Sequence, residues 1–234
     1  MTGSSSGIGA AIATALAGDG ATVVVNSASS VAAGERLAGE LPGASYVRAD
    51  IGDPEQVDRL VAGTVERHGR LDILVNNAGV TAVIDHNDLE AVTEKVWSSI
   101  LKVNLVGTWN MTRAAVPHLR ESGDGIVVNI TSLAGVRPVG SSIPYAVSKA
   151  ALNHLTLLLA NTLGPEIRVN AVAPGLIDTP WTADWDLVRD VVRGSAPLRR
   201  SGRPEDVAQA CLGLINTRYA TGQVLVVDGG MALR

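Results

Sequence analysis

The segment Thr2-Gly3-Ser4-Ser5-Ser6-Gly7-Ile8-Gly9 is informative about the fold, because its three glycines lie at the start of a segment of helical period, Ile8–Ala17. Glycine lets the backbone turn tightly and lets a phosphate group approach it, while the first turn of a helix offers free N–H groups and a positive dipole. The stretch therefore predicts a turn that binds the phosphates of a nucleotide, with a ligand-free glycine turn as the alternative. The candidate binding residues in it are Gly3, Ser5, Ser6, Gly7 and Ile8.

Short β-branched segments alternate with longer segments of helical period along the whole chain. The predicted strands are Thr22–Asn26, Ser45–Ala49, Ile73–Asn76, Gly125–Ile130, Ile167–Ala171 and Gln223–Val227. The predicted helices are Ile8–Ala17, Val31–Glu40, Pro54–His68, Leu89–Leu119, Tyr145–Leu163 and Pro204–Leu214. Several strands are apolar without a break, which is typical of strands covered on both faces. The alternation predicts an α/β fold, a doubly wound, Rossmann-like parallel sheet forming a single domain over residues 1–234.

The start of the chain departs from this pattern. A sheet of this kind normally has a strand before its first glycine turn, whereas here only Met1 precedes Thr2. The first strand is therefore expected to be absent or truncated. Because unpaired backbone on both neighbouring strands would be costly to bury, we expect the natural chain to begin upstream of Met1.

One long segment without a regular pattern runs over residues 174–203 and contains Trp181 and Trp185. Long loops in compact α/β domains often form lids or binding loops, so we expect a substrate lid here, with a tolerated insertion as the alternative. The two tryptophans either cover an apolar substrate or pack the lid onto the rest of the chain.

The composition excludes several classes of protein. Hydrophobic residues make up 46% of the chain and charged residues 18%, which is typical of a protein with a large core and not of a disordered one. The net charge of −4, without a long run of one sign, argues against a nucleic-acid partner. We find neither an apolar segment long enough to cross a membrane nor a secretory signal, and so expect a cytoplasmic protein.

Residue types that bind metals are sparse. The single cysteine, Cys211, excludes an internal disulfide and any zinc site built on paired cysteines, and its apolar surroundings predict a core position. No metal-ligand spacing is present among the histidines, which are His68, His86, His118 and His154. We therefore expect no bound metal.

The segment Asn26-Ser27-Ala28-Ser29-Ser30 bears on cofactor choice. In a dinucleotide-binding fold, an acidic residue at this place favours the 2′-hydroxyl of NAD and repels the 2′-phosphate of NADP. The segment contains neither an acid nor an arginine, and its hydroxyl groups are able to bond a phosphate. We therefore favour NADP(H) over NAD(H), with Ser27 as the candidate residue at the ribose, while NAD(H) stays open.

The strongest signal for chemistry is the cluster of Ser132, Tyr145 and Lys149. Tyr145 and Lys149 lie one turn apart on a predicted helix, so their side chains project from one face. A phenol titrates near pH 10, and acid–base work near neutrality requires a pKa lower by about three units. A nearby ammonium group in a site of low dielectric constant supplies such a shift, which favours a catalytic pair over two solvated surface residues.

Six motifs in the same order resemble the short-chain dehydrogenase/reductase family. They are Thr2–Gly9, Asn76-Asn77-Ala78-Gly79, Asn104, Ser132, the pair Tyr145 and Lys149, and Pro174-Gly175. The resemblance runs over essentially the whole chain, to Val227-Asp228-Gly229-Gly230 near its end. No single motif is specific, but six in this order are.

The resemblance implies roles for the catalytic residues. Tyr145 would be the general acid and base, and Ser132 would hydrogen-bond the reacting oxygen. Lys149 would lower the pKa of the tyrosine and bind the nicotinamide ribose. Asn104 would hold a water that links Lys149 to solvent, although an ordinary buried helix asparagine is the alternative.

The resemblance also implies cofactor contacts away from the chemistry. Asp50 and Ile51 match positions that border the adenine, and Asp50 is also able to cap the following turn. The remaining matched positions support the cofactor behind the sheet or contact its nicotinamide end. They are Asn77, Ala78, Gly79, Pro174, Gly175, Ile177 and Thr179.

The implied activity is hydride transfer between NAD(P)(H) and a small-molecule carbonyl or secondary alcohol, by a homo-oligomer, commonly a tetramer. The motifs are closest to the 3-oxoacyl-carrier-protein reductases. Those enzymes tend to carry basic residues before the fifth and sixth strands, where this chain has Glu121-Ser122-Gly123-Asp124 and Gly164-Pro165-Glu166. A carrier-bound substrate is therefore one alternative, and a dinucleotide-binding sensor or scaffold without turnover is another.

Overall fold

Six parallel strands form the centre of the computed structural model, which describes residues 1–233. The strands are β1 (Val24–Ser27), β2 (Ser45–Arg48), β3 (Ile73–Asn76), β4 (Gly125–Ile130), β5 (Ile167–Pro174) and β6 (Val224–Val227). β1 pairs with β2, and the other four pair in the order β3-β4-β5-β6. The α/β fold with a parallel sheet is therefore confirmed, with strand bounds close to the predicted ones.

Within residues 1–233, eight α-helices connect the strands. They are α1 (Gly7–Gly18), α2 (Val31–Glu40), α3 (Pro54–His68), α4 (Glu94–Leu101), α5 (Thr108–Glu121), α6 (Ile143–Leu163), α7 (Asp186–Ser195) and α8 (Pro204–Asn216). Neighbouring residues of β4 point to opposite faces: Val127 belongs to a core with Val57 of α3 and Leu159 of α6, and Val128 to a core with Ile12 of α1 and Val207 of α8. Helices thus cover both faces of the sheet, as the unbroken apolar strands predict.

Residues 1–4 lie between β1 and β3, where a first strand would lie. The amino group of Met1 donates to the carbonyl oxygen of Val24 at 3.0 Å, and the backbone N–H of Thr2 donates to that of Val75 at 3.0 Å. The N–H of Ser4 donates to the carbonyl oxygen of Asn26 at 2.9 Å. The short segment therefore bridges the two groups of strands.

Local sequence determines where α3 begins and ends. The carboxylate of Asp53 accepts hydrogen bonds from the N–H groups of Glu55 and Gln56, with Pro54 at the first helical position. The helix ends at Gly69, whose φ of 76° is left-handed and whose N–H donates to Val65. These signals lie in the sequence itself, and the predicted bounds match the observed ones.

Two predicted segments are wrong. The predicted helix Leu89–Leu119 begins only at Glu94 of α4, and a π-helical segment, Lys102–Gly107, separates α4 from α5. The cause lies far along the chain, because the side chain of Asn104 in that segment is bonded to the backbone of Val80. Residues 174–203 are not irregular either, since they contain α7 and a short 3-10 turn, Pro180–Thr182.

No helix within residues 1–233 is long and apolar enough to cross a lipid bilayer.

Candidate active site

The carboxyl ends of the parallel strands meet at one edge of the sheet, and the glycine turn lies there. Gly3 has a φ of +58°, and a Cβ on it would lie 2.7 Å from the Cα of Ala78. A Cβ on Gly9 would lie 2.3 Å from the carbonyl oxygen of Gly3. Both distances are too short for any side chain, so the turn keeps its shape only with glycine at these positions.

The turn after β3 is hydrogen-bonded to the glycine turn. The side-chain amide of Asn77 donates to the carbonyl oxygen of Gly3 at 2.7 Å and to that of Thr2 at 3.2 Å. In return, the hydroxyl oxygen of Thr2 accepts from the N–H groups of Asn77 and Ala78. Gly79 follows, and a Cβ on it would lie 3.5 Å from Nζ of Lys149. The Asn76–Gly79 motif thus links the predicted phosphate turn to the predicted catalytic lysine.

Asn26, which the sequence analysis does not single out, ties three segments together. Its side chain is buried, with Oδ1 accepting from the N–H of Gly3 at 3.3 Å. Its Nδ2 donates to the carbonyl oxygens of Val47 and Ala49 at 3.1 and 3.0 Å. A polar residue in an otherwise apolar strand is the signal that could have revealed it, because a buried amide requires several partners.

The end of β1 is also the place expected for the cofactor ribose. Ser27 lies at the cleft, and its hydroxyl is paired with the hydroxyl of Tyr46 at an oxygen–oxygen distance of 2.9 Å. Arg48 is the register partner of Ser27 on β2, and its Nε donates to the carbonyl oxygen of Ala28 at 3.1 Å. The segment after β1 contains no arginine, but the fold brings one to it from the next strand.

Asp50 and Ile51 line the cleft after β2. The carboxylate of Asp50 accepts from the N–H of Gly52 at 2.8 Å, and its own N–H donates to Gln56. Ile51 is buried against the π-helical segment, where a Cβ on Gly107 would lie 2.8 Å from the carbonyl oxygen of Ile51. Asp50 therefore caps a turn and borders the cleft at once.

The candidate catalytic residues meet above the end of β4. Ser132 directly precedes a 3-10 turn, and its hydroxyl accepts from the N–H of Ala134 at 3.1 Å. Tyr145 lies in the first turn of α6, which Ser142 caps. Nζ of Lys149 donates to the carbonyl oxygen of Ile130 at 2.9 Å and lies 5.8 Å from the centre of the Tyr145 ring.

Burial controls the ionisation of the pair. It raises the pKa of Tyr145 above its usual value of 10, and the hydrogen bond with Ser132 opposes this only in part. Burial also lowers the pKa of Lys149 from 10.5 to about 8. The lowered tyrosine pKa that the family resemblance implies is therefore not produced by these side chains alone, because desolvation of the phenol exceeds the effect of its neighbours.

Asn104 is fully buried, and protein groups hydrogen-bond both polar atoms of its side chain. Oδ1 accepts from the N–H of Val80 at 2.8 Å, while Nδ2 donates to the carbonyl oxygen of Val80 and to the hydroxyl of Ser148, both at 3.0 Å. Its own carbonyl oxygen accepts from the hydroxyl of Thr108. Asn104 thus joins the loop after β3 to α6 and, alone among the predicted site residues, does not line the cleft.

The segment after β5 borders the cleft. Pro174 ends β5, and a Cβ on Gly175 would lie 2.8 Å from Cβ of Asp228. Ile177 is buried and forms a bridge to Gly202. Thr179 precedes the Pro180–Thr182 turn, and its methyl group would lie 3.3 Å from a Cβ on Gly7. Thr179 thus lies close to Gly7 of the glycine turn.

Both aliphatic and charged side chains line the cleft away from the glycine turn, the charged ones including Asp85, Arg137, Asp184 and Asp186. Leu187, Val188 and Val191 of α7 line it and are exposed, Leu187 to 84%. Across the cleft, Val83 is exposed to 73%. Trp181 meets the ring of Tyr145 edge to face, with ring centres 6.4 Å apart. The cleft thus receives exposed aliphatic side chains from α7, and Trp181 lies beside the candidate catalytic tyrosine.

One cleft of about 1830 Å³ contains this arrangement, and every predicted site residue except Asn104 lines it. The glycine turn leaves room for phosphates at the start of α1, and Tyr145 and Lys149 lie at the other end of the same cleft, so the residues fit an extended dinucleotide. Within residues 1–233, no group of three or more His, Cys, Asp or Glu side chains is placed to hold a metal ion.

Comparisons with known proteins agree with this geometry. The family model described as "Enoyl-(Acyl carrier protein) reductase" matches residues 3–232. A relative from Streptomyces violaceoruber, provisionally named ketoacyl reductase 2 of the granaticin polyketide synthase, is 58% identical over 100% of this chain and 95% of its own length. The 3-oxoacyl-[acyl-carrier-protein] reductase FabG of Thermotoga maritima is 38% identical over 100% of this chain and 96% of its own.

A solved structure gives the same result. The crystal structure of a protein from Burkholderia xenovorans, provisionally titled a short-chain dehydrogenase/reductase, superposes with a TM-score of 0.93 at 40% identity and covers 100% of this chain and 97% of that one. Sequence, fold and cleft therefore lead to one conclusion: the chain belongs to the short-chain dehydrogenase/reductase family and is an oxidoreductase that uses a nicotinamide cofactor.

Proposed function

We propose that the protein reduces a carbonyl group on an apolar substrate with NADPH. The observation that carries the proposal is that Ser132, Tyr145 and Lys149 line the same cleft as the exposed aliphatic side chains of Leu187, Val188 and Val191. Exposed aliphatic side chains concentrated at a cleft indicate a ligand that covers them. The chain is proposed to work as one domain over residues 1–234, with residues 174–203 as the substrate lid.

The chemistry divides between the cofactor and three side chains. When bound, the nicotinamide supplies a hydride to the carbonyl carbon. Ser132 donates its hydroxyl proton toward the carbonyl oxygen and stabilises the negative charge that develops there, a contribution of about 3 kcal/mol. Tyr145 transfers its phenolic proton to the same oxygen, since burial holds its pKa high and keeps it protonated at neutral pH.

Lys149 prepares the phenol for the return of its proton. With a pKa of about 8, its ammonium group is mostly protonated at neutral pH and stabilises the phenolate that remains after proton transfer. The hydrogen bond from Nζ to Ile130 fixes the ammonium group against the end of β4. Asn104 acts as a positioning residue, since it holds the loop that carries Gly79 against α6.

The preference for NADP(H) over NAD(H) is part of the proposal. The turn after β1 has no carboxylate that would repel a 2′-phosphate. The proposed cofactor contacts all line the cleft: Gly3, Ser5, Ser6, Gly7, Ile8, Ser27, Asp50, Ile51, Asn77, Ala78, Gly79, Tyr145, Lys149, Pro174, Gly175, Ile177 and Thr179.

A 3-oxoacyl group on a carrier protein is the second candidate substrate. The names of the FabG relative and of the matched family model favour it. Against it stand the exposed acids Glu121, Asp124 and Glu166, which would face an acidic carrier with charge of the same sign. The two candidates separate in a comparison of a carrier-bound 3-oxoacyl thioester with the same acyl group on a small thiol. Faster reduction of the carrier-bound form would favour the second candidate.

We also propose a cytoplasmic homotetramer. The exposed apolar side chains of α5 and α6, among them Trp109 and Leu158, support burial of these helices between subunits. The free thiol of Cys211 in the core is compatible with a reducing compartment. Light scattering coupled to size-exclusion chromatography checks the assembly, and a monomer would contradict it.

The activity is tested by following NADPH absorbance with two substrates, a bicyclic aliphatic ketone and an open-chain sugar. We expect the apolar ketone to have a kcat/KM higher by about 10-fold or more, since several buried CH₂ groups contribute to its binding. Faster reduction of the sugar would contradict the apolar substrate class. If the protein oxidised NADPH with neither the bicyclic ketone nor the 3-oxoacyl thioesters, this would favour a dinucleotide-binding scaffold without turnover.

A further inference from the structure

The turn that follows β1 carries no charge of its own, but the neighbouring strand brings one to it. Ser27 ends β1 and Arg48 ends β2, and the two residues are partners in the parallel register. Partners on adjacent strands lie about 5 Å apart, so Arg48 stands beside the residue that leads into the turn.

The guanidinium group of Arg48 is held in one position. Its Nε donates to the carbonyl oxygen of Ala28 at 3.1 Å, which directs the group along the turn. The N–H groups on its two terminal nitrogens have no hydrogen-bond partner within residues 1–233, and no carboxylate of that range forms an ion pair with it. Because the side chain is exposed, these N–H groups are accessible to a ligand.

The adjoining rim of the cleft is polar and uncharged. Ala28, Ser29 and Ser30 line the cleft and are exposed. Ser30 precedes α2 without capping it through its hydroxyl, so that group is free for a ligand. The hydroxyl of Ser27, in contrast, is buried and paired with that of Tyr46. Of the groups around this turn, Arg48 is therefore the one that offers a positive charge.

We propose that Arg48 is the residue that makes this protein distinguish NADPH from NADH, by binding the 2′-phosphate of the adenosine ribose over the Ala28–Ser30 turn. The inference rests on the proposed function, because it assumes a dinucleotide in the cleft. A planar guanidinium presents paired N–H groups that match phosphate oxygens, and its attraction for a phosphate dianion exceeds that for a neutral hydroxyl. The hydrogen bond to Ala28 holds the group in position before the cofactor arrives.

The test compares Arg48→Gln with Arg67→Gln, using nicotinamide fluorescence to measure the Kd of NADPH and of NADH. Arg67 is an exposed arginine in the last turn of α3, so its replacement changes the net charge equally. Gln at position 48 keeps a side-chain N–H but loses the charge. We expect Arg48→Gln to weaken NADPH binding about 10- to 100-fold, the effect of losing a hydrogen bond to a charged group, with NADH binding unchanged. Arg67→Gln is expected to change neither.

Salt and a second variant give independent readouts. The ratio of NADH to NADPH Kd should fall with added salt in the wild-type protein and should be insensitive to salt in Arg48→Gln, because ions screen the charge. Arg48→Lys keeps the charge without the planar fork and should retain part of the preference. Thermal unfolding of each variant shows that it is folded.

The outcomes separate the inference from the function on which it rests. Equal loss of affinity for both dinucleotides in Arg48→Gln would assign Arg48 a structural role and overturn the inference, and so would an undiminished preference for NADPH. A wild-type protein that prefers NADH would instead overturn the proposed cofactor, and one that binds neither dinucleotide would overturn the proposed function itself.

Discussion

The glycine turn and the lid border the same cleft, but different interactions hold them in place. Around the glycine turn, the buried side chains of Asn26 and Thr2 and the half-buried side chain of Asn77 hydrogen-bond backbone groups. In the lid, the guanidinium of Arg189 joins the exposed carboxylates of Asp178 and Asp186 at 2.9 Å each. Ion pairs of this kind contribute little compared with a buried hydrogen-bond network.

The difference assigns separate tasks to the two regions. A turn built from buried, mutually satisfied groups tolerates almost no change and is suited to an invariant ligand such as a dinucleotide. A helix held by surface ion pairs, with apolar Leu187 and Val191 facing the cleft, is able to shift and to accept substitutions without loss of the core. We infer that substrate choice lies in the lid and cofactor binding in the turn.

The largest expected effect comes from removing the phenol hydroxyl of Tyr145, which lies in the cleft that both regions border. Tyr145→Phe should lower turnover about 10²- to 10⁴-fold, because the proton donor is lost while the ring and its contact with Trp181 remain. The affinity for NADPH should be unchanged, since the glycine turn that is proposed to bind the cofactor does not involve the phenol hydroxyl of Tyr145. Steady-state kinetics and fluorescence titration check both statements, and turnover close to that of the wild-type protein would refute the role of Tyr145.

A second effect concerns the buried charge of Lys149. Its pKa is about 8 in the folded protein and near 10.5 in the unfolded chain. Between these values the unfolded lysine keeps a proton that the folded one has lost, so the free energy of unfolding rises with pH. Relative to Lys149→Met, the wild-type protein should gain up to about 3 kcal/mol from pH 8 to 10.5. Denaturant unfolding at several pH values measures this, and a difference independent of pH would contradict it.

Two glycines of α1 differ in the space around them, so replacing each by alanine compares a crowded position with an open one. Gly9→Ala places a Cβ against the carbonyl oxygen of Gly3 and should destabilise the fold by about 1–3 kcal/mol and weaken NADPH binding. Gly18→Ala meets no atom within 4 Å and should leave binding intact and stability equal or slightly higher. Denaturant unfolding and NADPH titration of the pair provide the comparison. If the two variants had the same free energy of unfolding and the same affinity for NADPH, the glycine turn would not be crowded.

The smallest effect is expected in the lid. Arg189→Ala removes hydrogen bonds to Asp178, Asp186 and two carbonyl groups, so the KM of the substrate should rise about fivefold, or about 1 kcal/mol, with the Kd of NADPH unchanged. Arg193→Ala removes only an exposed pair with Asp190 and should have no measurable effect. If Arg189→Ala changed the Kd of NADPH instead, the two regions would not be independent.

Elements whose signals are local were predictable from the sequence. The bounds of α3 follow from Asp53, Pro54 and Gly69, and β4 follows from an apolar run that is buried throughout. Helix α7 lies in a segment predicted to be irregular, although its residues Leu187, Val188, Val191 and Val192 recur with helical period.

Features that depend on contacts between distant segments were not predictable. The π-helical segment exists because Asn104 bonds Val80, which lies on another loop. Arg48 reaches the turn after β1 only through the pairing of β1 with β2, and Asn26 finds its partners on β2 and the glycine turn. Likewise, the spacing of Tyr145 and Lys149 predicted their proximity but not the burial that raises the tyrosine pKa.

The most direct test of hydride transfer uses NADPH carrying deuterium at C4 of the nicotinamide ring and a bicyclic aliphatic ketone. The alcohol formed is analysed by mass spectrometry and by NMR at the carbinol carbon. Reduction by the wild-type protein should place the deuterium on that carbon, with Tyr145→Phe forming almost no product. Product without deuterium at the carbinol carbon, when both C4 positions of the cofactor are labelled, would contradict the assignment of this cleft as a site of hydride transfer.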